Sequence, residues 1–185
     1  MKPQKTLGAD LRAIRKSRKI TLEVLAEKLG KSVGWLSQIE RDISEPDNAD
    51  LQRIAQIFGV PVSLFFGISP AAPDEQGKIV RADQRRIIGE RAGGLIETLL
   101  SPDLTDNFEV VHSTFQPGAD QSDPVFRQTQ ELAYLVSGKL DIRLDNVAFT
   151  IATGDSFRIR NQSFRWSNPY DAPAIAVWVI SPPVY

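Results

Sequence analysis

The sequence contains no cysteine and a single histidine, His112, among its 185 residues. Without thiols the chain forms no disulfide and offers neither a thiolate zinc site nor a cysteine nucleophile. No apolar run approaches the roughly 18–20 residues that a membrane-spanning helix needs. The first residues also lack the apolar core of a signal peptide. We therefore expect a soluble, cytoplasmic protein without a membrane partner.

The charges are unevenly distributed along the chain. Residues 1–67 contain 11 basic and 8 acidic residues, a net charge of +3, whereas residues 68–185 contain 11 and 15, a net charge of −4. Among the first twenty residues only Asp10 is acidic, against seven basic ones: Lys2, Lys5, Arg12, Arg15, Lys16, Arg18 and Lys19. Such clustering suits a phosphate backbone, although a charge run is more often a solvated helix face.

The most informative stretch is residues 22–41, LEVLAEKLGKSVGWLSQIER. Two short helices are predicted by apolar residues at helical spacing, which are Leu22, Leu25, Ala26 and Leu29 in the first and Val33, Leu36 and Ile39 in the second. Thr21 and Ser32 are suitable caps for their first turns. Gly30 suits the tight turn between them, since glycine adopts the left-handed conformation readily. This order of features predicts a helix-turn-helix.

Residues 7–66, and above all IRKSRKITLEVLAEKLGKSVGWLSQIERDISEP, resemble the five-helix DNA-binding domain of the lambdoid phage repressor and Cro family, the XRE family. The resemblance implies a partly buried ion pair between Arg15 and Glu40, and a short fifth helix after Pro61. The sequence departs from the family pattern at Asp42, because members of the family commonly have a glycine after the Glu-Arg pair. Aspartate tolerates the left-handed conformation better than most residues, so we expect the turn to be kept.

The resemblance also implies which residues bind double-stranded DNA. The start of the second helix would enter the major groove, and phosphate contacts would flank it; the residues concerned are Thr21, Lys31, Ser32, Val33, Gly34, Trp35, Ser37, Gln38 and Arg41. Gln38 can pair with adenine, and Val33 can pack on a thymine methyl group. One such domain makes few base contacts, so we expect a homodimer on an approximately palindromic operator.

After residues 67–78, a predicted linker with two Pro, two Gly and polar residues, the apolar residues alternate instead of following a helical period. In residues 140–144, for example, leucine and isoleucine alternate with charged residues, as in a half-buried strand. Many short segments of this kind, separated by turns, predict a sandwich or barrel.

Within residues 79–185, PGADQSDPVFRQTQELAYLVSGKLDIRL and ATGDSFRIRNQSFRWSNPYDAPA are similar to the two motifs of the cupin barrel, a double-stranded β-helix. Metal-dependent cupins place three histidines and a glutamate around one ion. The corresponding positions here are Pro124, Phe126, Phe164 and Glu131, and proline and phenylalanine have no lone pair for a metal. We therefore expect no metal, no cofactor and no catalysis.

The expected barrel can still bind a small-molecule effector, because an apolar lumen with a few polar groups is typical of a ligand pocket. The candidate effector-binding residues are aromatic or charged: Phe126, Arg127, Glu131, Tyr134, Phe164, Trp166 and Trp178. Most aromatic residues on strands are nevertheless simply core. The sequence thus predicts a two-domain α + β protein, a DNA-binding transcriptional regulator whose second domain binds an effector and forms the dimer.

Two other functions fit the same residues. A helix-turn-helix joined to a cupin is also the architecture of a metal-dependent phosphonate epoxidase, against which the missing histidines argue. Alternatively, the chain is an antitoxin or regulator controlled by a partner protein, and its barrel would then be filled with side chains. An open or a filled barrel interior separates the ligand sensor from the partner-controlled regulator, and a metal assay on the purified protein decides on the enzyme.

Overall fold

The structure is a computed structural model, and it describes residues 7–183 except 66–71, 73, 76, 92, 103, 105 and 127, with the backbone alone at 89–91. The chain divides into two compact units. The helical unit consists mainly of Met1–Arg86 and Pro102–Asp106, and the strand unit of Ile87–Ser101 and Asn107–Val184. The helical unit therefore also contains residues 79–86, which the sequence analysis groups with the strands. Much of the predicted linker lies outside the described residues.

The described part of the helical unit contains four α-helices: α1 Leu7–Ser17, α2 Leu22–Leu29, α3 Val33–Glu40 and α4 Asn48–Phe58. The prediction of five helices is therefore wrong in its last element. After Pro61 the chain forms one turn of 3-10 helix, Val62–Phe65, in which the Leu64 amide bonds the Pro61 carbonyl. Four residues form a single turn, too short for the repeated i to i−4 bonds of an α-helix.

Local signals fix the helix ends. The side chains of Thr21, Ser32 and Asp47 each accept a hydrogen bond from the backbone N–H three residues later, at the starts of α2, α3 and α4. Each such cap stabilises its helix by about 1 kcal/mol. Gly30 ends α2 with φ 67°, in the left-handed conformation that the sequence predicts. The core between the helices is fully buried and apolar, and includes Leu11, Ile14, Leu25, Leu29, Leu36, Ile39, Ile54 and Leu64.

Gly8 lets α1 approach the end of α3 closely. A Cβ atom at this position would lie 2.4 Å from the Ile39 carbonyl oxygen and 2.8 Å from that of Glu40. The Gly8 N–H donates to the Asp42 carboxylate at 2.9 Å. Asp42 itself has φ 53°, which confirms the left-handed turn predicted there.

We expect Gly8→Ala to lower the free energy of unfolding by about 1–3 kcal/mol, the usual cost of overpacking, because backbone atoms must move to admit the methyl group. Urea unfolding followed by helical circular dichroism measures this. Gly34→Ala is the matched control, since the only atom near its Cβ position is the Ser32 Oγ at 3.9 Å. Equal unfolding curves for Gly8→Ala and the wild type would show that α1 and α3 are not in tight contact.

The strand unit contains ten strands in its described residues. Their bounds are β1 Arg86–Arg91, β2 Leu95–Leu99, β3 Glu109–Phe115, β4 Asp120–Phe126, β5 Gln130–Ser137, β6 Lys139–Leu144, β7 Val147–Ala152, β8 Ser156–Arg160, β9 Ser163–Ser167 and β10 Ala174–Ser181. They form a six-stranded sheet in the order β1-β2-β3-β10-β5-β8 and a four-stranded sheet in the order β4-β9-β6-β7.

The two sheets pack face to face around an aromatic core. Phe115 on β3 meets Trp166 on β9 with ring centroids 4.7 Å apart, and Phe164 on β9 meets Trp178 on β10 at 5.8 Å. Strands β3 and β10 bury every second residue, as a sheet with one face on a core does. The strand pairing thus establishes two packed antiparallel sheets, and it does not establish the closed barrel of the prediction.

Candidate functional site

Helix α3 presents an exposed face that contains most of the predicted DNA-contacting residues. All nine of those residues are exposed or half-buried, and they lie together at the start of α2, in the turn after Gly30 and along α3. Leu36, Ile39 and Glu40 are buried on the opposite face of α3. The sequence places Leu36 and Ile39 on the buried face correctly, but Val33, which its helical spacing assigns to the same face, is 39% exposed.

The ion pair between Arg15 and Glu40 fixes α3 against α1, as predicted. Arg15 Nε lies 2.5 Å from Glu40 Oε1, and Nη2 lies 2.9 Å from Oε2, so the pair is bidentate. The two side chains are only 9% and 5% exposed. Arg15 Nη1 also donates to the Ile20 carbonyl at 2.9 Å. The hydrogen bond to Glu40 raises the pKa of Arg15, which keeps the guanidinium charged in its buried position.

Lys31 has two partners that the sequence does not reveal. Its ammonium group lies 2.9 Å from Asp50 Oδ2 on α4 and 4.7 Å above the ring of Trp35. Trp35 is consequently half-buried beneath a charged side chain. A contact between Lys31 and a phosphate would have to share this ammonium group with Asp50.

Near the end of α3, Gln38 and Arg41 carry the remaining polar groups of the exposed face. Gln38 Oε1 accepts a hydrogen bond from Ser44 Oγ at 3.2 Å, which orients the amide and leaves its nitrogen as a donor toward solvent. Arg41 Nε donates to the Ser37 carbonyl at 3.1 Å, and its two terminal nitrogens make no other hydrogen bond among the described residues. Both side chains are exposed and have hydrogen-bond donors left over for a partner.

In the strand unit, three of the candidate effector-binding residues face the space between the sheets. Glu131 is buried on β5 and accepts a hydrogen bond from Thr129 Oγ1 at 2.7 Å. Phe164 and Trp178 form a cluster with Phe157, whose ring centroid lies 6.0 Å from Phe164 and 5.4 Å from Trp178. The indole nitrogen of Trp178 is buried and has no hydrogen-bond partner among the described residues.

Trp166 also faces inward, but its surroundings are those of a core residue. Its ring packs edge-on against Phe115, and its Nε1 donates to Gln121 Oε1 at 3.0 Å. A side chain whose polar atom is already satisfied and whose ring is already packed offers little to a ligand.

Two candidates do not join this interior. Phe126 is 61% exposed, although the sequence analysis expects it to line a pocket with Glu131. The register between β4 and β9 shifts between Gln121 and Val125, so Val125 pairs with Phe164 and the alternation of β4 is broken. Tyr134 is 49% exposed, because it lies on the opposite face of β5 from Glu131. Arg127 lies outside the described residues.

Within the described ranges, no three His, Cys, Asp or Glu side chains come together in a way that could hold a metal ion. None of the described helices has the length and apolar character to cross a membrane.

Comparison with known proteins gives two domain matches. A family model described as "Helix-turn-helix" matches residues 11–65, and one described as "Cupin domain" matches residues 111–180. The helix-turn-helix match covers α2, α3 and α4, and the cupin match runs from β3 to β10.

Three similar proteins agree with these matches. The HTH-type transcriptional regulator SutR of Escherichia coli is 31% identical over 153 residues, which are 82% of this chain and 80% of that protein. The HTH-type transcriptional regulator PuuR of the same species is 23% identical over 152 residues, 82% and 81% of the two chains. A solved RmlC-like cupin from Shewanella frigidimarina covers 57% of this chain and 91% of its own, at 21% identity and a TM-score of 0.50, and this likeness shows the fold alone.

Proposed function

We propose that this chain, which belongs to the family of HTH-type transcriptional regulators with a cupin domain, binds an approximately palindromic operator as a homodimer. Its cupin domain binds a small molecule without a metal, and this binding weakens or strengthens the affinity for the operator. The observation that carries the DNA-binding part is the exposed face of α3, held in place by the buried Arg15–Glu40 pair. Helix α3 would enter the major groove, as the recognition helix of a helix-turn-helix does.

The electrostatics of the helical part support this proposal. Residues 1–67 have a net charge of +3, opposite in sign to the rest of the chain. Exposed Arg41 and the caps Thr21 and Ser32 flank α3 and can donate to phosphate oxygens, which position a protein on DNA without reading its sequence. The base-reading atoms would then be the Gln38 amide and the exposed Val33 methyl groups.

We expect Gln38→Ala to weaken binding to the best operator by about 1–3 kcal/mol and to relax the preference at one base position. Fluorescence anisotropy against a set of single-base operator variants measures both effects. Arg41→Ala is the matched control, because loss of a phosphate contact lowers affinity for all sequences alike and reduces the salt dependence. A uniform loss across the set for Gln38→Ala would instead assign its side chain to the DNA backbone.

The homodimer is supported by an apolar surface on the strand unit. The outward residues of β2, β3, β10 and β5 form what we call the outer apolar face: Ile96, Val110, Leu132, Tyr134, Val136, Ile175, Val177 and Val179, together with His112, Thr98 and Thr114. Strand register makes it continuous, since Val177 lies opposite both Tyr134 and His112. Five of these side chains, Ile96, Leu132, Tyr134, Val136 and Val179, are each more than a third exposed. Contiguous apolar surface of this kind marks an interaction site in proteins that function in water.

The composition of the outer apolar face fits a second copy of the same chain. At about 4.8 Å between strands and 3.4 Å per residue, its four strands offer a face of roughly 19 by 24 Å, or about 460 Å². That is more than half of the roughly 800 Å² per partner of a standard interface, and the rim around it would supply the rest. Charged residues are absent from the outward positions of its central strands β3, β10 and β5 and are found at the rim, at Arg158 and Arg160 on β8. A self-complementary apolar patch is what a two-fold interface requires.

The effector site that we propose lies between the sheets, at Glu131, Phe164 and Trp178. Its support is the combination of a buried carboxylate, an aromatic cluster that is only partly buried at Phe164, and the partnerless Trp178 Nε1. Buried polar groups normally have a hydrogen-bond partner, so an indole N–H without one is a donor available to a ligand. Phe126 and Tyr134 are left out, because their side chains are exposed.

We expect Trp178→Phe, which removes this donor but keeps an aromatic ring, to reduce the response to whichever small molecule stabilises the wild-type chain in a thermal-shift screen. Trp166→Phe is the matched control, because the Trp166 N–H already bonds Gln121. If the small molecule raised the melting temperature of both variants as much as that of the wild type, its binding site would lie away from Trp178. If no small molecule shifts the wild type and a second protein co-purifies with it, the alternative of a partner-controlled regulator is favoured.

A further inference from the structure

A groove of about 450 Å³ lies on the four-stranded sheet, and it belongs to neither surface used by the proposed function. The side chains of Ile142 and Trp166 are buried on the inner side of the sheet. The lining of the groove includes their neighbours along β4, β9, β6 and β7, whose side chains point to the opposite face, so the groove lies on the outer side of the sheet. The site proposed for the effector lies on the inner side. The groove is therefore a separate candidate binding site.

Strand register arranges the groove floor in two rows of opposite charge. The first, which we call the acidic row, runs across the sheet as Asp120, Ser167, Asp141 and Thr150, each directly opposite the next. The second, the basic row, lies two residues further along and contains Arg165, Arg143 and Ala148, again opposite one another. At about 3.4 Å per residue, the rows are about 7 Å apart along the strands.

The two rows do not neutralise each other. In the described part of the chain, no ion pair joins an arginine of the basic row to an aspartate of the acidic row. The arginines donate only to backbone carbonyls, Arg143 to Asn146 and Arg165 to Ser122, both at a long 3.4 Å. Arg165 Nε is buried without a hydrogen-bond partner. Like charges directly opposite each other on neighbouring strands destabilise a sheet, so this pair calls for an anionic group between them.

The aspartates are held in place by hydroxyl groups, with one oxygen of each left over. Asp141 Oδ1 accepts hydrogen bonds from Thr150 Oγ1 at 2.7 Å and from the Tyr170 hydroxyl at 2.9 Å. Asp120 Oδ2 accepts one from Ser122 Oγ at 2.6 Å. The bond to Asp141 raises the pKa of Tyr170, so its hydroxyl remains a donor. The other oxygen of each carboxylate is available for a cationic group.

We propose that the groove binds a small zwitterion of the α-amino acid type, with its carboxylate between Arg143 and Arg165 and its ammonium group on Asp120 and Asp141. Each row carries two charges of the same sign, and the rows are close enough to contact one small molecule at the same time. They match a ligand that carries a positive and a negative group within a few ångströms of each other. A simple anion would be attracted by the basic row and repelled by the acidic row. A simple cation would be attracted by the acidic row and repelled by the basic row. Charge-assisted hydrogen bonds at both ends would give the site its selectivity.

The test uses the full-length chain and the standard amino acids one at a time, in thermal-shift assays followed by calorimetric titration. We expect at least one amino acid to bind. Its N-acetyl derivative, which lacks the ammonium group, and its amide, which lacks the carboxylate, should each bind about tenfold more weakly or worse, since one lost charged hydrogen bond is about a tenfold effect. Equal binding of either derivative would overturn the zwitterion site, and so would the absence of binding by every amino acid.

Variants then locate the binding in the groove. Arg165→Gln and Asp141→Asn should each abolish most of the binding while leaving the melting temperature of the unliganded chain within the range of a surface substitution. Arg143→Gln serves if either of these fails to fold. Arg53→Gln, at an exposed position on α4, is the matched control and should bind as the wild type does. Wild-type affinity in the folded groove variants would overturn the assignment.

Discussion

Replacing Arg15 with alanine should lower the free energy of unfolding of the helical unit by about 3–5 kcal/mol, because it leaves the Glu40 carboxylate buried without its partner. The side chains of the pair are 9% and 5% exposed, so water cannot replace the lost guanidinium without local opening. Arg15 also bonds the Ile20 carbonyl, which would be left without that donor. Urea or thermal unfolding followed by helical circular dichroism gives the measurement.

Arg12→Ala is the matched control for this prediction. Arg12 lies on the same helix but is exposed, and such surface substitutions change stability by about 0.5 kcal/mol or less. Arg15→Lys should recover only part of the loss, since a single ammonium group cannot form the bidentate pair. If Arg15→Ala and Arg12→Ala unfolded at the same denaturant concentration, the pair would be a solvated one that contributes about 0–1 kcal/mol.

Tyr134→Arg should convert the protein from a dimer to a monomer and weaken binding to a palindromic operator by about a hundredfold or more, the scale on which linked binding sites gain affinity. Tyr134 lies opposite Val177, near the centre of the outer apolar face, so a two-fold interface there would bury two new charges without partners. Analytical ultracentrifugation reports the mass, and anisotropy with full and half operators reports the loss of paired binding.

The control for this substitution is Val147→Arg. Val147 is 57% exposed and apolar, but it lies on β7 of the four-stranded sheet, away from the outer apolar face. This variant should remain dimeric and bind the operator as the wild type does. A dimeric Tyr134→Arg protein with unchanged operator binding would show that the chains pair through another surface, while leaving DNA recognition by α3 intact.

The helical part was predictable because its signals are local. Capping residues, a turn glycine and a helical period specify α2 and α3 within a few residues of chain, and the Arg15–Glu40 pair followed from the family resemblance. The bond between Lys31 and Asp50 and the close approach at Gly8 were not predictable, since each depends on how distant helices pack. The predicted fifth helix failed because Pro61 is as good a start for a 3-10 turn as for an α-helix.

In the strand unit, alternation predicted the strands with a clear inner and outer face, such as β6. The inward position of Phe126, which the cupin resemblance implied, was wrong, because a register shift in β4 breaks the alternation and leaves this side chain exposed. The two charged rows of the groove illustrate the remaining limit. Alternation places Asp141 and Arg143 on the outer face, but only cross-strand register shows that Arg143 lies opposite Arg165.

The central claim is that α3 reads a duplex, and selection of bound fragments from a random-sequence DNA library by the purified full-length chain tests it most directly. At low ionic strength the wild type should enrich one approximately palindromic sequence, with binding that weakens steeply as salt rises. The Gln38→Ala variant should enrich a related sequence in which one position of each half-site accepts more than one base. Enrichment of no sequence by a folded wild-type protein, with or without added small molecules, would contradict the account.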